Sequence, residues 1–274
     1  MQDTSEPLWF KNKENIKTQE LKPKKFSIFV ATPVFDNVSI HYFNACLDFQ
    51  RHCVSNNIQA SFQVMKSSLV TQGRNLCVSS FMESNHTHLL FVDSDIEFQT
   101  QSVFKMIAAN KEVISVPYPL KQIFWDKAWE RISKGNIKNA KDLKYKGLYS
   151  YPMKVEDDKN ILIKDGVIEV THSPTGCMLI KREVIEKMIK AYPETEIVQK
   201  TVINGELINR PYLYNLFDTM HDPKTKKYLG EDFAFCKRWK DIGGKCHALI
   251  TDRITHAGEH QYRGCFADEL IKTE

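Results

Sequence analysis

The sequence predicts an α/β fold: a Rossmann-like mixed sheet with a parallel N-terminal half and antiparallel additions, flanked by helices. Three observations carry that expectation. Short apolar runs alternate with helically spaced segments from residue 26 to residue 118, and this β-α-β-α-β order implies parallel strands. Further along, two β-rich arms surround Asp165-Gly166, a hairpin-turn pair, which adds antiparallel strands. The 274 residues are 42% hydrophobic and 26% charged, proportions of an ordinary globular chain able to bury roughly three quarters of its unfolded surface without crosslinks.

Taken in order, residues 1–25 are rich in Lys, Glu and Asn with scattered apolar anchors, and read as a polar arm. A single domain then spans 26–274. The run 26–32 reads as a buried strand stopped by Pro33, and 37–56 has helical spacing. An alternating strand follows at 58–65, a helix at 71–84, and a strand buried on both faces at 87–92. A helix at 100–110 and a strand at 112–118 complete a half-Rossmann unit. After a Trp- and Lys-rich stretch come a hairpin over 161–172, a strand at 176–181 and a helix at 182–192. The helix 231–242 is closed by Gly243-Gly244 and leads into a last strand at 245–250. The stretch 135–158, rich in Lys, Tyr and Asp, reads as a mobile lid.

The net charge of +4 is dispersed along the chain, so the sequence predicts no nucleic-acid partner. Seven scattered cysteines without a C-x-x-C spacing argue against a disulfide framework and a zinc knuckle, and read as small core residues of a reducing compartment. No apolar run approaches the length of a membrane span, and the N-terminus lacks a signal-like stretch. The expectation is a cytoplasmic protein, made in a bacterial, viral or host cytosol.

Chemistry concentrates at two places. The buried strand HLLFV runs into Asp93-Ser94-Asp95, and open α/β sheets bind ligands at the carboxyl ends of strands. Strand alternation would point Asp93 and Asp95 the same way, toward one hard cation such as Mg²⁺ or Mn²⁺ carrying a diphosphate. A solvated turn after a strand would read identically. Near the C-terminus, Glu231 and Asp232 open a helix, where carboxylates also serve as partners of the helix dipole. His256 follows the last strand; taken alone it would be a surface histidine.

In this order, the strand-terminal D-x-D, the downstream T-G-C-M-L-I strand, the G-E-D helix start and the late His resemble metal-dependent glycosyltransferases of the GT-A fold. The resemblance covers about residues 26–260. It implies a nucleotide-sugar-binding half over 26–120 and an acceptor-facing half over 121–274. It also implies Asp95 as a direct ligand of Mn²⁺ (or Mg²⁺), His256 as a second ligand, and Asp93 on the ribose or on the metal through water, with Ser94 between them in the donor site. By the same likeness Asp232, with Glu231 beside it, is the catalytic base of an inverting transfer from a UDP- or GDP-sugar to a glycan or other hydroxyl acceptor. An Asp with the ordinary pKa of about 3.9 would be almost fully ionised at pH 7 and a weak base.

The likeness extends to several neighbours. Thr32, Pro33 and Phe35 stand where such enzymes hold the nucleotide base, or form a strand-ending turn. Arg74-Asn75 resembles an Arg-Asn pair of related enzymes whose guanidinium meets phosphate or uracil oxygens, or lies on an exposed helix face. Lys121 would reach a phosphate and Trp125 a sugar face, unless Trp125 is core. Thr175 and Gly176 match the loop lying against donor sugar and acceptor, with Gly176 permitting close backbone approach.

Three other readings compete. His256-Ala-Gly-Glu259-His260 matches the inverted zinc-peptidase motif, but Gly258 interrupts the helix that motif requires. A sugar nucleotidyltransferase would share the sheet and acidic site, yet should carry a Gly-rich loop where this chain has ATPVFDN. A non-catalytic carbohydrate-binding protein on the same fold is the third.

Overall fold

The computed structural model describes residues 26–259 other than Gly147, Asp158 and Asn204; the expected arm 1–25, His260 and Cys265 lie outside them. The chain opens with β1 (Ser27–Val34), α1 (Ile40–Ser55), β2 (Gln59–Lys66), α2 (Val70–Glu83) and β3 (His88–Val92). Then come β4 (Ile96–Glu97), α3 (Thr100–Ala109), β5 (Val113–Ser115), α4 (Trp125–Ser133) and α5 (Ala140–Lys146). The second half adds β6 (Val167–Val170), β7 (Cys177–Lys181), α6 (Arg182–Ala191), β8 (Lys200–Ile203) and β9 (Glu206–Asn209). Finally β10 (Met220–Asp222), β11 (Lys227–Leu229), α7 (Glu231–Asp241), β12 (Cys246–Leu249) and β13 (Thr255–His256) complete the described chain.

Seven strands form one mixed sheet in the order β2-β1-β3-β7-β5-β12-β6. The expected parallel half is there: β1 pairs in parallel with both β2 and β3. The antiparallel strand enters in the middle, because β7 is antiparallel to both β3 and β5. β12 then runs parallel to β5, and β6 closes the edge antiparallel to β12.

Side-chain alternation along the central strands builds a three-layer domain. Phe29, Ala31, Leu89 and Phe91 face a core completed by α2, α6 and α7, where Phe217 stacks on Phe235 at 4.3 Å between ring centroids. Ile28, Val30, Leu90 and Val92 face the other way, against Tyr42, Phe49, Val103 and Met106 of α1 and α3. Cys53, Cys77, Cys177, Cys236 and Cys246 are buried free thiols, as a core role requires. Among the described residues no helix is long and apolar enough to cross a membrane.

Several elements differ from the sequence reading. Pro33 does not stop β1; the strand continues through Val34 against β2, and its pairing with β3 has already ended at Ala31, where a missing donor costs no ladder bond. The Asp165-Gly166 turn forms, with both residues at positive φ (52° and 76°), but the arm before it contributes only the Lys164–Val167 bridge. β6 takes β12 as its partner instead, leaving Leu162 exposed. The stretch expected as a lid contains α5 and is tied to the chain after β5 by Leu120 N–H to Ser150 O and Phe124 N–H to Leu148 O, both 2.9 Å.

Candidate active site

The site gathers at the carboxyl ends of β3 and β5 and the amino end of β7. Val92 pairs with Cys177, so Gly176 lies beside Asp93, whose N–H donates to Gly176 O at 3.1 Å. The strand ends at Val92. Asp93-Ser94-Asp95 is a turn closed by Ile96 N–H to Asp93 O (3.0 Å), so period-two alternation no longer applies and the two acids have separate partners. Ser94 lends its carbonyl to the N–H of Ser39, the residue that caps α1, which anchors the turn.

Asp93 belongs to a buried network centred on Arg74. Arg74 Nη2 donates to Asp93 Oδ1 and Oδ2 at 3.0 and 3.3 Å, while Nε donates to Glu231 Oε1 at 3.2 Å. Its guanidinium carbon lies 5.3 Å from the centroid of the Phe91 ring, and Nη1 has no hydrogen-bond partner among the described residues. Burial alone would lower the Arg74 pKa, but the carboxylates of Asp93 and Glu231 outweigh it and keep the group charged. Arg74 is 2% exposed, which corrects the reading of it as part of an exposed helix face. Residues 211–217 pack over α2, and Ser79 Oγ donates to Pro211 O at 2.7 Å, so the face that looked free is interior. Asn75 is held in the same way: its Nδ2 donates to Asn215 Oδ1 (2.8 Å) and its Oδ1 accepts from Phe217 N–H (3.0 Å).

Asp95 faces a different set. Its Oδ2 accepts from Lys121 Nζ at 2.5 Å and lies 3.3 Å from His256 Nε2. Burial works to raise the Asp95 pKa, but the bonds from His256 and Lys121 prevail and bring it down to about 2. His256 arrives by a two-residue ladder, β13 on β4, extended by Ala257 N–H to Asp95 O at 2.8 Å. Its Nδ1 is 2.8 Å from Pro119 O; a carbonyl only accepts, so Nδ1 carries the proton. Nε2 then faces Asp95 Oδ2 as the N–H of an imidazolium or, in the neutral ring, as a lone pair. With the ring neutral, the two electron-rich atoms stand 3.3 Å apart, close to the edge of an octahedron with bonds of about 2.1 Å, roughly 3.0 Å. An Nδ1–H held by a carbonyl is also how metal-binding histidines are oriented. The pair therefore fits a hard divalent cation. Among the described residues no group of three or more His, Cys, Asp and Glu side chains assembles around such a position, so substrate oxygens and water would complete the shell.

Asp232, in the first turn of α7, accepts from Phe233 N–H at 2.7 Å. Glu231 next to it is committed to Arg74. Burial first, and then the charge of Glu231, push Asp232 up to about 6, against the lowering influence of the Phe233 amide and Arg74. The ordinary weakness of an Asp base is thereby corrected: with this value about 90% is still ionised at pH 7 and its basicity is higher.

Sequence reasoning missed Tyr118. Its ring packs edge-on against His256 at 4.8 Å between centroids, and a Cβ on Gly176 would come within 2.4 Å of its Cε1. Burial, then Asp93, hold its phenol protonated far above the usual range. Gly176 thus leaves room for the Tyr118 ring. Among the remaining candidates, Thr32 is buried with its hydroxyl bonded to Tyr42 OH at 2.7 Å, Pro33 and Thr175 are buried, and Phe35 is 73% exposed. Trp125 is not core: it opens α4, 62% exposed, with Trp129 one turn on.

No protein-family model matches the chain, and no curated protein matches it in sequence. Solved structures do. It is similar to A197 from STIV, with 20% identity over 85% of this chain and 87% of that one and a TM-score of 0.46. It is similar also to a glycosyltransferase involved in glycosylating the major capsid of PBCV-1 (12% identity, 61% and 66% covered, TM-score 0.31). A UDP-glucose pyrophosphorylase complexed with UDP-glucose matches at 8% identity, 82% and 90% coverage and a TM-score of 0.38. The neighbours of this mixed α/β sheet thus include a glycosyltransferase and a nucleotidyltransferase.

Proposed function

We propose that the protein is a glycosyltransferase that moves a sugar from a UDP- or GDP-sugar to an acceptor hydroxyl, with a divalent cation at Asp95 and His256 and with inversion at the anomeric carbon. The observation that carries this reading is the division of labour between adjacent acids: Glu231 is bound to Arg74, whereas Asp232 is left with one backbone bond and a pKa near neutrality. Asp232 accepts the proton of the acceptor hydroxyl as that oxygen attacks. Pro119 O fixes the His256 ring through Nδ1, so that Nε2 and Asp95 Oδ2 present two donors to the cation. When bound, the cation neutralises charge building on the departing nucleoside diphosphate. Arg74 engages Glu231 and ties α7 to the turn after β3, which keeps base and donor site in register. Phe35, Trp125 and Trp129 are exposed aromatic faces suited to base or sugar stacking.

The test is product analysis with a panel of UDP- and GDP-sugars, Mn²⁺ or Mg²⁺, and simple glycan acceptors. Release of nucleoside diphosphate that EDTA and Asp95→Ala both abolish is the expected result. Formation of pyrophosphate-exchange products would make the protein a nucleotidyltransferase, and failure to turn over any donor would leave a carbohydrate-binding role.

A further inference from the structure

We infer that Lys121 is a displaceable counter-ion, its ammonium standing in for the divalent cation at Asp95 and moving to the donor's diphosphate when that cation arrives. The inference rests on the function proposed above. Lys121 Nζ sits 2.5 Å from Asp95 Oδ2, the same oxygen that faces His256 Nε2 at 3.3 Å. The ammonium takes one of the two lone pairs of that oxygen, so a cation bound between Oδ2 and Nε2 would meet a retained positive charge a few ångströms away. That repulsion drives the ammonium away, and its surroundings allow it.

The backbone on either side of Lys121 is pinned, Leu120 N–H to Ser150 O and Phe124 N–H to Leu148 O, while its side chain is 42% exposed. A fixed backbone with a four-carbon stem moves a charge by rotation about side-chain bonds alone. The resting position of the stem is shaped by Gly258: a Cβ there would approach Lys121 Cδ to 2.8 Å, so glycine lets the stem lie across the turn that follows β13. Arg74 shows the contrast. Its guanidinium, with the side chain 3% exposed, grips two carboxylates at once and has nowhere to go.

The experiment measures Mn²⁺ affinity of the full chain without nucleotide, from the electron paramagnetic resonance signal of free Mn²⁺, for the unaltered protein, Lys121→Met, Lys121→Arg and Asp95→Asn. Circular dichroism confirms that each is folded. Lys121→Met should bind Mn²⁺ about tenfold more tightly by losing the competing charge, Lys121→Arg should stay within about threefold of the unaltered protein, and Asp95→Asn should not bind. With Mn²⁺ saturating, Lys121→Met should bind UDP or GDP about tenfold more weakly, because the charge that moves to the diphosphate is gone. Equal Mn²⁺ affinity in the unaltered protein and Lys121→Met, with binding still lost in Asp95→Asn, overturns the counter-ion and leaves the metal site standing. Absence of Mn²⁺ binding at millimolar concentration in both overturns the metal site and the counter-ion together.

Discussion

The two acids of the turn after β3 are two residues apart, and each is neutralised by a basic side chain, yet their surroundings are opposite. Asp93 faces an arginine that is interior, charged and shared with Glu231. Asp95 faces a lysine and an imidazole at the rim of the site. In the first pairing, removing a carboxylate leaves a guanidinium only 3% exposed with one partner fewer. The second is exchangeable, since water or another cation can take over. A D-x-D sequence therefore says that two carboxylates are close without saying that they do the same work; the difference comes from which helix or strand lies behind each one.

The comparison breaks most visibly at Arg74. Arg74→Met should cost about 3–5 kcal/mol of stability, because Asp93 and Glu231 are left uncompensated, while Lys121→Met should cost less than about 1 kcal/mol. Urea unfolding of the two variants decides it, and similar losses would erase the distinction between the sites.

Asp232→Asn comes next. Its kcat/KM should fall on the order of 10²–10⁴-fold, and in the unaltered protein kcat/KM should drop tenfold per pH unit below about 6, where the base becomes protonated. Stability should move the other way. A raised native value means that the folded state holds a proton that the unfolded chain has released, so stability falls as pH rises from 3.8 to about 6 and is level above. Asp232→Asn removes that cost and should be about 1–3 kcal/mol more stable at pH 8, measured by thermal and urea unfolding. A variant that is both inactive and less stable would argue for a structural acid like Glu231.

The smallest effect sharpens the link between the halves. Gly176→Ala places a methyl group 2.4 Å from Tyr118 and should cost about 1–3 kcal/mol by overpacking. Because Tyr118 packs on His256, its Mn²⁺ affinity should also fall; Gly176→Ala with unchanged Mn²⁺ binding would detach Tyr118 from the cation site.

Much of this arrangement was legible in local pattern. Whereas α4, α5 and β8 to β11 carry no such signal, the strands and helices from β1 to β5 apart from the short β4, the β7–α6 and α7–β12 units, the acids after the HLLFV strand and the Glu231-Asp232 pair opening α7 follow from periodicity and element ends. The pairing of β6 did not, since Asp165-Gly166 makes a turn whichever strand eventually claims its far arm. The exposed-face reading of Arg74 arose because a helix with polar positions looks amphipathic until something covers them, and here residues 211–217 do. The Arg74–Glu231 bond spans 157 positions and the Asn75–Asn215 bond 140; no spacing in the chain encodes such contacts.

By itself, the sequence determined which residues are acids, where strands and helices alternate, and that an acidic turn ends a buried strand, because side-chain periodicity and turn chemistry act over a few residues. Only the tertiary structure decided that Asp93 pairs with a buried arginine and Asp95 with a half-exposed lysine, that Glu231 is engaged by Arg74 while Asp232 keeps one backbone bond, and that His256 reaches Asp95. That last contact depends on a ladder of two residues on each side, too short to carry a period and formed only once the seven-stranded sheet has brought its partners together.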